Sequence, residues 1–170
     1  MKKKLRRLLI AVGILAVLML SGCPYSSTVP LEEPNVKVDK VMYGKWILES
    51  TDEFPSYYNI LELDGTLFTL DKYSYDSETA EYYLESGYEA WFTDISGTKF
   101  LNIEDREDKG TYYFYKLEMK SPATFVLFEV TDNIDEVFTD SRSMNAFFKK
   151  YKDLSFFYNQ GEETYNKEGN

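Results

Sequence analysis

The chain has 170 residues, with 19 Lys and Arg against 29 Asp and Glu, a single cysteine and no histidine. Without histidine, Ser-His-Asp and Cys-His catalysis are excluded, as are zinc and haem sites that need an imidazole ligand. The formal charge of −10 also disfavours nucleic acid as a partner, because a phosphate backbone attracts basic surfaces.

The first 22 residues have the pattern of a secretory signal peptide. Residues 2–7 carry five positive charges, and residues 8–20 are thirteen uninterrupted apolar residues. This run is too short for a spanning helix, which needs about 20 apolar residues. The pattern therefore predicts an exported protein from which residues 1–22 are removed.

The residues at the end of this segment carry a second signal. Leu20-Ser21-Gly22-Cys23 resembles the lipobox of bacterial lipoproteins. The resemblance implies that the Cys23 thiol is acylated and that Cys23 becomes the first residue of the mature chain. Two or three acyl chains anchor a protein stably, whereas one chain holds only marginally. Pro24 is not the aspartate that retains lipoproteins in the inner membrane of enteric bacteria. We therefore expect an outer membrane if the host has one, and otherwise the outer face of the cytoplasmic membrane.

The mature chain is strongly acidic and begins with an extended stretch. Residues 1–22 hold five of the 19 basic residues and none of the 29 acidic ones, so the remaining 148 residues carry a formal charge of −15. Residues 24–40 hold three of the five prolines and little apolar periodicity. We predict a lipidated Cys23 and a flexible tether over residues 23–40, with a reach of about 55 Å. One β-rich domain is predicted over residues 41–170.

From residue 41, aromatic and β-branched residues alternate with polar ones in short runs, which predicts antiparallel strands. The clearest hairpin is Tyr57–Leu70, where Asp64-Gly65 separates two apolar runs and predicts a turn with positive φ angles. In Thr111–Met119, Tyr113, Tyr115, Leu117 and Met119 share one face of the predicted strand, and Tyr112, Phe114, Lys116 and Glu118 share the other. The other predicted strands are Met42–Ser50, Lys72–Tyr75, Glu81–Asp94, Lys99–Ile103 and Thr124–Thr131.

One segment, Ser141–Asp153, has helical periodicity instead. Its apolar residues Met144, Phe147, Phe148 and Tyr151 lie at positions i, i+3, i+4 and i+7, which predicts one buried helix face. Ser141 or Ser143 is the predicted N-cap. Leu154–Tyr158 and Glu163–Lys167 are predicted to be short extended pieces.

The first predicted strand contains Gly44-Lys45-Trp46. This Gly-x-Trp sequence resembles the opening motif of the lipocalins and their bacterial relatives. The resemblance implies an up-and-down barrel in which the tryptophan closes one end and the glycine lets the chain pass close. We therefore expect a mainly β fold, either an antiparallel lipocalin-like barrel or a strongly bent sheet, with one α-helix in the C-terminal region. Thr93-Asp94 and Thr131-Asp132 match the second lipocalin motif only in part.

No motif in the sequence assigns a catalytic, cofactor or metal site. Three acidic clusters have the composition of calcium ligands, but none has the Asp-x-Asp-x-Asp-Gly spacing, so we interpret them as solvated loops. They are Asp76/Glu78/Glu81, Glu104/Asp105/Glu107/Asp108 and Asp132/Asp135/Glu136.

The expected function is a non-catalytic interaction module of the cell envelope, held at the membrane by its lipid. Its partner is an unidentified envelope protein. The alternative is a lipocalin-like carrier of a small apolar or amphipathic ligand, which would need a hollow barrel and would use interior tyrosines such as Tyr113 and Tyr115. A carboxylate-based hydrolase ranks third, since two suitably spaced acids can hydrolyse a glycoside.

Overall fold

The structure is a computed structural model and describes residues 24–169. These residues form nine strands, one α-helix and two 3₁₀ turns. The strands are β1 (Ser26–Ser27), β2 (Gly44–Leu48), β3 (Tyr57–Glu62), β4 (Leu67–Asp76), β5 (Glu81–Ile95), β6 (Thr98–Asp105), β7 (Tyr112–Ser121), β8 (Thr124–Glu129) and β9 (Glu163–Lys167). The helix is α1 (Ser141–Tyr151), and the 3₁₀ turns are Lys40–Met42 and Ser155–Phe157.

Eight of these strands close into an antiparallel barrel. Strands β2 to β8 follow one another as neighbours, and β9 inserts between β8 and β2 to complete the ring. The short β1 pairs with the first residues of β7 on the outside of this ring. The predicted fold class, a mainly β antiparallel barrel with one C-terminal-region helix, is confirmed.

The barrel interior is apolar because alternate residues of each strand point inward. On β7, the alternation places Tyr113, Tyr115 and Leu117 against the interior cluster. The fully buried side chains of this cluster include Trp46, Phe68, Phe92 and Phe125.

A second apolar cluster lies on the outside of the barrel. Here Phe100 and Phe114 point outward from β6 and β7, and Phe148 of α1 packs on both rings at centroid distances of 5.3 and 5.5 Å. Leu31 and Phe157 are also fully buried in this cluster. The outer side of β5, β6 and β7 is therefore a second core.

The prediction of a flexible tether is wrong for residues 24–40. Leu31 is fully buried, and its backbone N–H donates a hydrogen bond of 3.0 Å to Oδ1 of the buried Asn102. Tyr25 is buried in the outer cluster, and Val38 is buried in the barrel interior. The prolines had suggested a free chain, but isolated apolar residues between them fill pockets on the barrel. Residues 24–40 therefore pack on the barrel as part of the folded domain.

Three local predictions also need correction. The N-cap of α1 is Asp140, whose carboxylate accepts a 2.9 Å hydrogen bond from the backbone N–H of Ser143. The helix ends at Tyr151, and the segment predicted as extended after Asp153 contains the Ser155–Phe157 turn. The turn at Asp64 is present, but Gly65 has no positive φ. The Asp64 carboxylate instead accepts hydrogen bonds from the N–H groups of Thr66 and Leu67, which closes the turn with ordinary backbone angles.

Candidate functional site

One end of the barrel is closed by the chain that precedes β2. Val38 and Met42 are buried among the interior side chains, and the Val38 N–H donates to the Gly65 carbonyl oxygen of the β3–β4 turn at 3.0 Å. We call this the closed end. The opposite end, where the β4–β5 hairpin turns, is the open end.

Gly44 and Trp46 both lie at the closed end. The Trp46 ring is fully buried, and its Nε1 donates a 2.8 Å hydrogen bond to the Met42 carbonyl oxygen. The Lys167 ammonium group lies 5.4 Å from the centroid of the Trp46 ring and donates to the Val41 carbonyl oxygen at 2.6 Å. Gly44 has φ of +121°, a conformation that favours glycine. These contacts hold the closing segment on the barrel.

The interior of the barrel is filled. It holds a void of about 10 Å³, lined by side chains such as Met42, Phe68 and Phe92. A volume of this size holds at most one water molecule, whereas ligand sites usually measure about 300–1,000 Å³.

Tyrosines and glutamates line the open end. The hydroxyl of Tyr115 donates a 3.0 Å hydrogen bond to Glu129, and that of Tyr165 donates a 2.9 Å bond to Glu163. Burial, reinforced by the neighbouring tyrosines and by Glu163, raises the pKa of Tyr58, Tyr115 and Tyr165 above the ordinary value. These hydroxyls therefore keep their protons to high pH and act as hydrogen-bond donors.

A shallow pocket of about 240 Å³ borders this cluster. Tyr115, Glu129, Asn159 and Glu163 contribute to its wall. Glu129 also accepts a 2.6 Å hydrogen bond from the Asn159 side chain. Within residues 24–169, neither glutamate forms a salt bridge.

A stacked group of partly exposed rings lies on the β4–β5 hairpin, the loop before β3 and the first residue of β3. Tyr57 stacks on Tyr73 with 4.9 Å between ring centroids, and Phe54 stacks on Tyr75 at 4.1 Å. Tyr82 contacts both columns, at 5.1 Å from Tyr57 and 5.3 Å from Tyr75. We define the hairpin face as Phe54, Tyr57, Tyr73, Tyr75, Tyr82 and Leu84.

The hairpin face remains open to solvent because β4 and β5 are among the longest strands and no described element packs over it. Phe54, Tyr82 and Leu84 have exposed fractions of 44, 38 and 50%. On the opposite side of the same hairpin, Lys72 pairs with Glu85 at 2.9 Å, and Ser74 donates to the same carboxylate. One side of the hairpin is thus aromatic, and the other combines this polar group with the half-exposed Tyr83.

The sequence singled out Cys23, Gly44 and Trp46, and none of these residues belongs to the hairpin face. The alternating aromatic residues after residue 41 predict strands and no exposed aromatic surface, so the hairpin face was missed. The available signal was the cross-strand pattern, because Tyr73 faces Leu84 and Tyr75 faces Tyr82 across the hairpin. Cys23 lies outside the described residues.

Two of the three acidic clusters contribute to local backbone structure. Asp76 accepts a 2.8 Å hydrogen bond from the Glu78 N–H, and Glu104 accepts one of 2.8 Å from the Gly110 N–H. Among residues 24–169, no three Asp, Glu or Cys side chains are grouped so that they could hold a metal ion.

No helix in the described part of the chain is long and apolar enough to cross a membrane. The chain matches no family model, no curated protein and no solved structure.

Proposed function

We propose that this protein is an exported, lipid-anchored module of the cell envelope that binds a protein partner through its hairpin face and has no catalytic activity of its own. The exposed aromatic cluster of the hairpin face is the observation that carries this proposal. The anchor rests on the lipobox residues Leu20-Ser21-Gly22-Cys23 and the basic and apolar segments before them.

The composition of the hairpin face suits protein recognition. Tyrosine is enriched at protein interfaces because it contributes a large apolar ring, a polar hydroxyl and few rotatable bonds. Contact with one another already orders these rings, so binding would cost little further side-chain entropy. The Lys45 ammonium lies 4.3 Å from the Tyr57 ring centroid at the edge of the face and also pairs with Glu168 at 2.8 Å.

The filled interior favours the interaction module over the carrier of a small ligand. A ligand of drug-like size would have to displace several fully buried rings, such as Phe68 and Phe92, from a void of about 10 Å³. The open-end pocket of about 240 Å³ is below the usual size of ligand sites, and two of its wall residues are glutamates, which an apolar ligand would have to desolvate.

The hydrolase hypothesis has two carboxylates at the open end, Glu129 and Glu163. Both accept hydrogen bonds from tyrosine hydroxyls whose pKa is raised. No other feature of the described pocket assigns one of these carboxyl groups as the general acid and the other as the general base. Absence of catalysis stays a prediction.

Site-specific photo-crosslinking in the host tests the proposal. A photoreactive phenylalanine analogue replaces Tyr82 in the full-length protein, and in a matched variant it replaces Met119 near the closed end. The two side chains are equally exposed, at 38% each.

We expect a single discrete adduct from position 82, identified by mass spectrometry as one envelope protein, and none from position 119. The adduct should disappear when Leu84→Asp is added, while the unfolding midpoint stays unchanged. Equal labelling at both positions, or no adduct at position 82, would contradict the proposal.

A further inference from the structure

A second aromatic surface lies around helix α1, apart from the hairpin face. Ring contacts run from Phe138 to Phe147 at 5.3 Å, from Phe147 to Tyr151 at 4.5 Å and from Tyr151 to Phe156 at 6.2 Å. Two apolar residues along this row are unusually exposed, Val137 at 90% and Phe156 at 64%. We call Val137, Phe138, Phe147, Tyr151 and Phe156 the α1 surface.

The charge of α1 differs from that of the rest of the chain. The helix contains Arg142, Lys149 and Lys150 and no acidic residue, although residues 23–170 carry a formal charge of −15. All three basic side chains belong to exposed residues, and none of them is in a salt bridge within the described residues. Lys150 places its ammonium group 4.6 Å from the centroid of the Tyr151 ring. Aromatic rings beside lysine stems are the combination that settles at a membrane interface.

The chain that leads to Cys23 ends beside this surface. Pro24 forms a bridge with Thr131, and the Tyr25 N–H donates to the Val130 carbonyl oxygen at 2.9 Å. The Tyr25 hydroxyl also donates to the Glu136 carbonyl oxygen at 3.3 Å, in the loop that leads to Val137. Because consecutive Cα atoms are about 3.8 Å apart, Cys23 has almost no free chain between it and the folded domain.

We propose that the α1 surface lies directly on the lipid bilayer, so that the domain is held in one orientation at the membrane. The inference rests on the proposed function, since it takes Cys23 as the acylated residue. Acyl chains on Cys23 supply most of the affinity, and the α1 surface fixes which side of the barrel faces the lipid.

The lipid that this surface accepts is zwitterionic. The loop before α1 carries Asp132, Asp135 and Glu136, which anionic headgroups would repel. Arg142, Lys149 and Lys150 offset three of the four negative charges carried by these loop residues and the N-cap Asp140, so the surface beside the anchor is nearly neutral. Phosphatidylcholine vesicles are therefore the appropriate probe.

The experiment uses the acylated protein with one introduced cysteine, which is its only free thiol because the Cys23 thiol is blocked. Val137→Cys and Phe156→Cys report on the α1 surface, and Leu61→Cys, 50% exposed on the outside of β3, is the control. Each thiol carries an environment-sensitive fluorophore, and the phosphatidylcholine vesicles contain a nitroxide-labelled lipid as quencher.

We expect blue-shifted, quenched emission at positions 137 and 156 and unchanged emission at position 61. Equal signals at all three positions, with acyl chains present on Cys23 by mass spectrometry, would overturn the orientation and leave the anchor standing. A blue shift that precedes addition of vesicles would show self-association and would also overturn it. An unacylated Cys23 would overturn both the anchor and the orientation.

Discussion

The two halves of the barrel wall face different surroundings. The outer side of β5, β6 and β7 is covered by α1 and by residues 24–35, with Phe148 and Leu31 fully buried. The outer side of β3 and the turn after it leave Leu61 and Leu63 half exposed, at 50 and 52%, and the hairpin face continues this open side. Apolar residues on the outer wall thus form a second core where the chain folds over them. Where it does not, they form an exposed surface that is open to contact.

The largest expected effect comes from a comparison of two phenylalanine substitutions, one on each side of this difference. Phe148→Ala removes a fully buried ring from the covered side and should lower the free energy of unfolding by about 3–5 kcal/mol. Phe156→Ala removes a ring that is 64% exposed and should cost under about 1 kcal/mol. Urea unfolding of both variants measures the two values. Similar losses would show that Phe156 packs as tightly as Phe148 and would remove it from the α1 surface.

A second test compares two leucines. Leu31→Ala should destabilise the domain by about 2–5 kcal/mol, because residue 31 is fully buried against the barrel. Leu61→Ala, 50% exposed on the open wall, should change the unfolding free energy by about 0.5 kcal/mol or less. If Leu31→Ala had no effect, residues 24–40 would be a free tether after all.

The pH dependence of the unfolding free energy tests the barrel interior independently of the two outer walls. In the unfolded chain a tyrosine ionises near pH 10, whereas burial raises the pKa of Tyr165 in the folded domain. Stability from this group is therefore complete below about pH 10 and is lost as the pH rises further, by about 1.4 kcal/mol per pH unit. Tyr165→Phe should make the alkaline decline of the unfolding free energy shallower by that amount. A decline parallel to that of the unsubstituted protein would contradict a buried Tyr165 hydroxyl.

Alternation along the strands was sufficient to predict the antiparallel strands and the face of β7 that Tyr113, Tyr115 and Leu117 share, whereas the lipocalin-like barrel was implied by the Gly44-x-Trp46 resemblance. The apolar spacing of i, i+3, i+4 and i+7 was sufficient to predict the helix. Of its two phenylalanines, Phe148 rather than Phe147 is fully buried. A four-residue apolar pattern defines a broad helix face, and only the contacts of Phe148 with Phe100 and Phe114 fix its centre.

What the sequence did not predict depends on contacts between distant segments. Leu31 and Val38 are single apolar residues in a proline-containing stretch, and their burial follows from pockets formed by residues far along the chain. The hairpin face likewise needs the register of β4 against β5, which brings Tyr75 opposite Tyr82. Neither the burial of these two residues nor the register of β4 against β5 produces a periodic pattern within one segment of the sequence.

Native mass spectrometry of the protein extracted from its host membrane tests most directly the claim that this barrel is filled and acts through its outside. With an interior void of about 10 Å³, the mass should equal that of the polypeptide from Cys23 onward plus its acyl chains, with no further bound molecule. A small molecule that co-purifies reproducibly at one copy per chain would contradict the filled barrel and would favour the carrier.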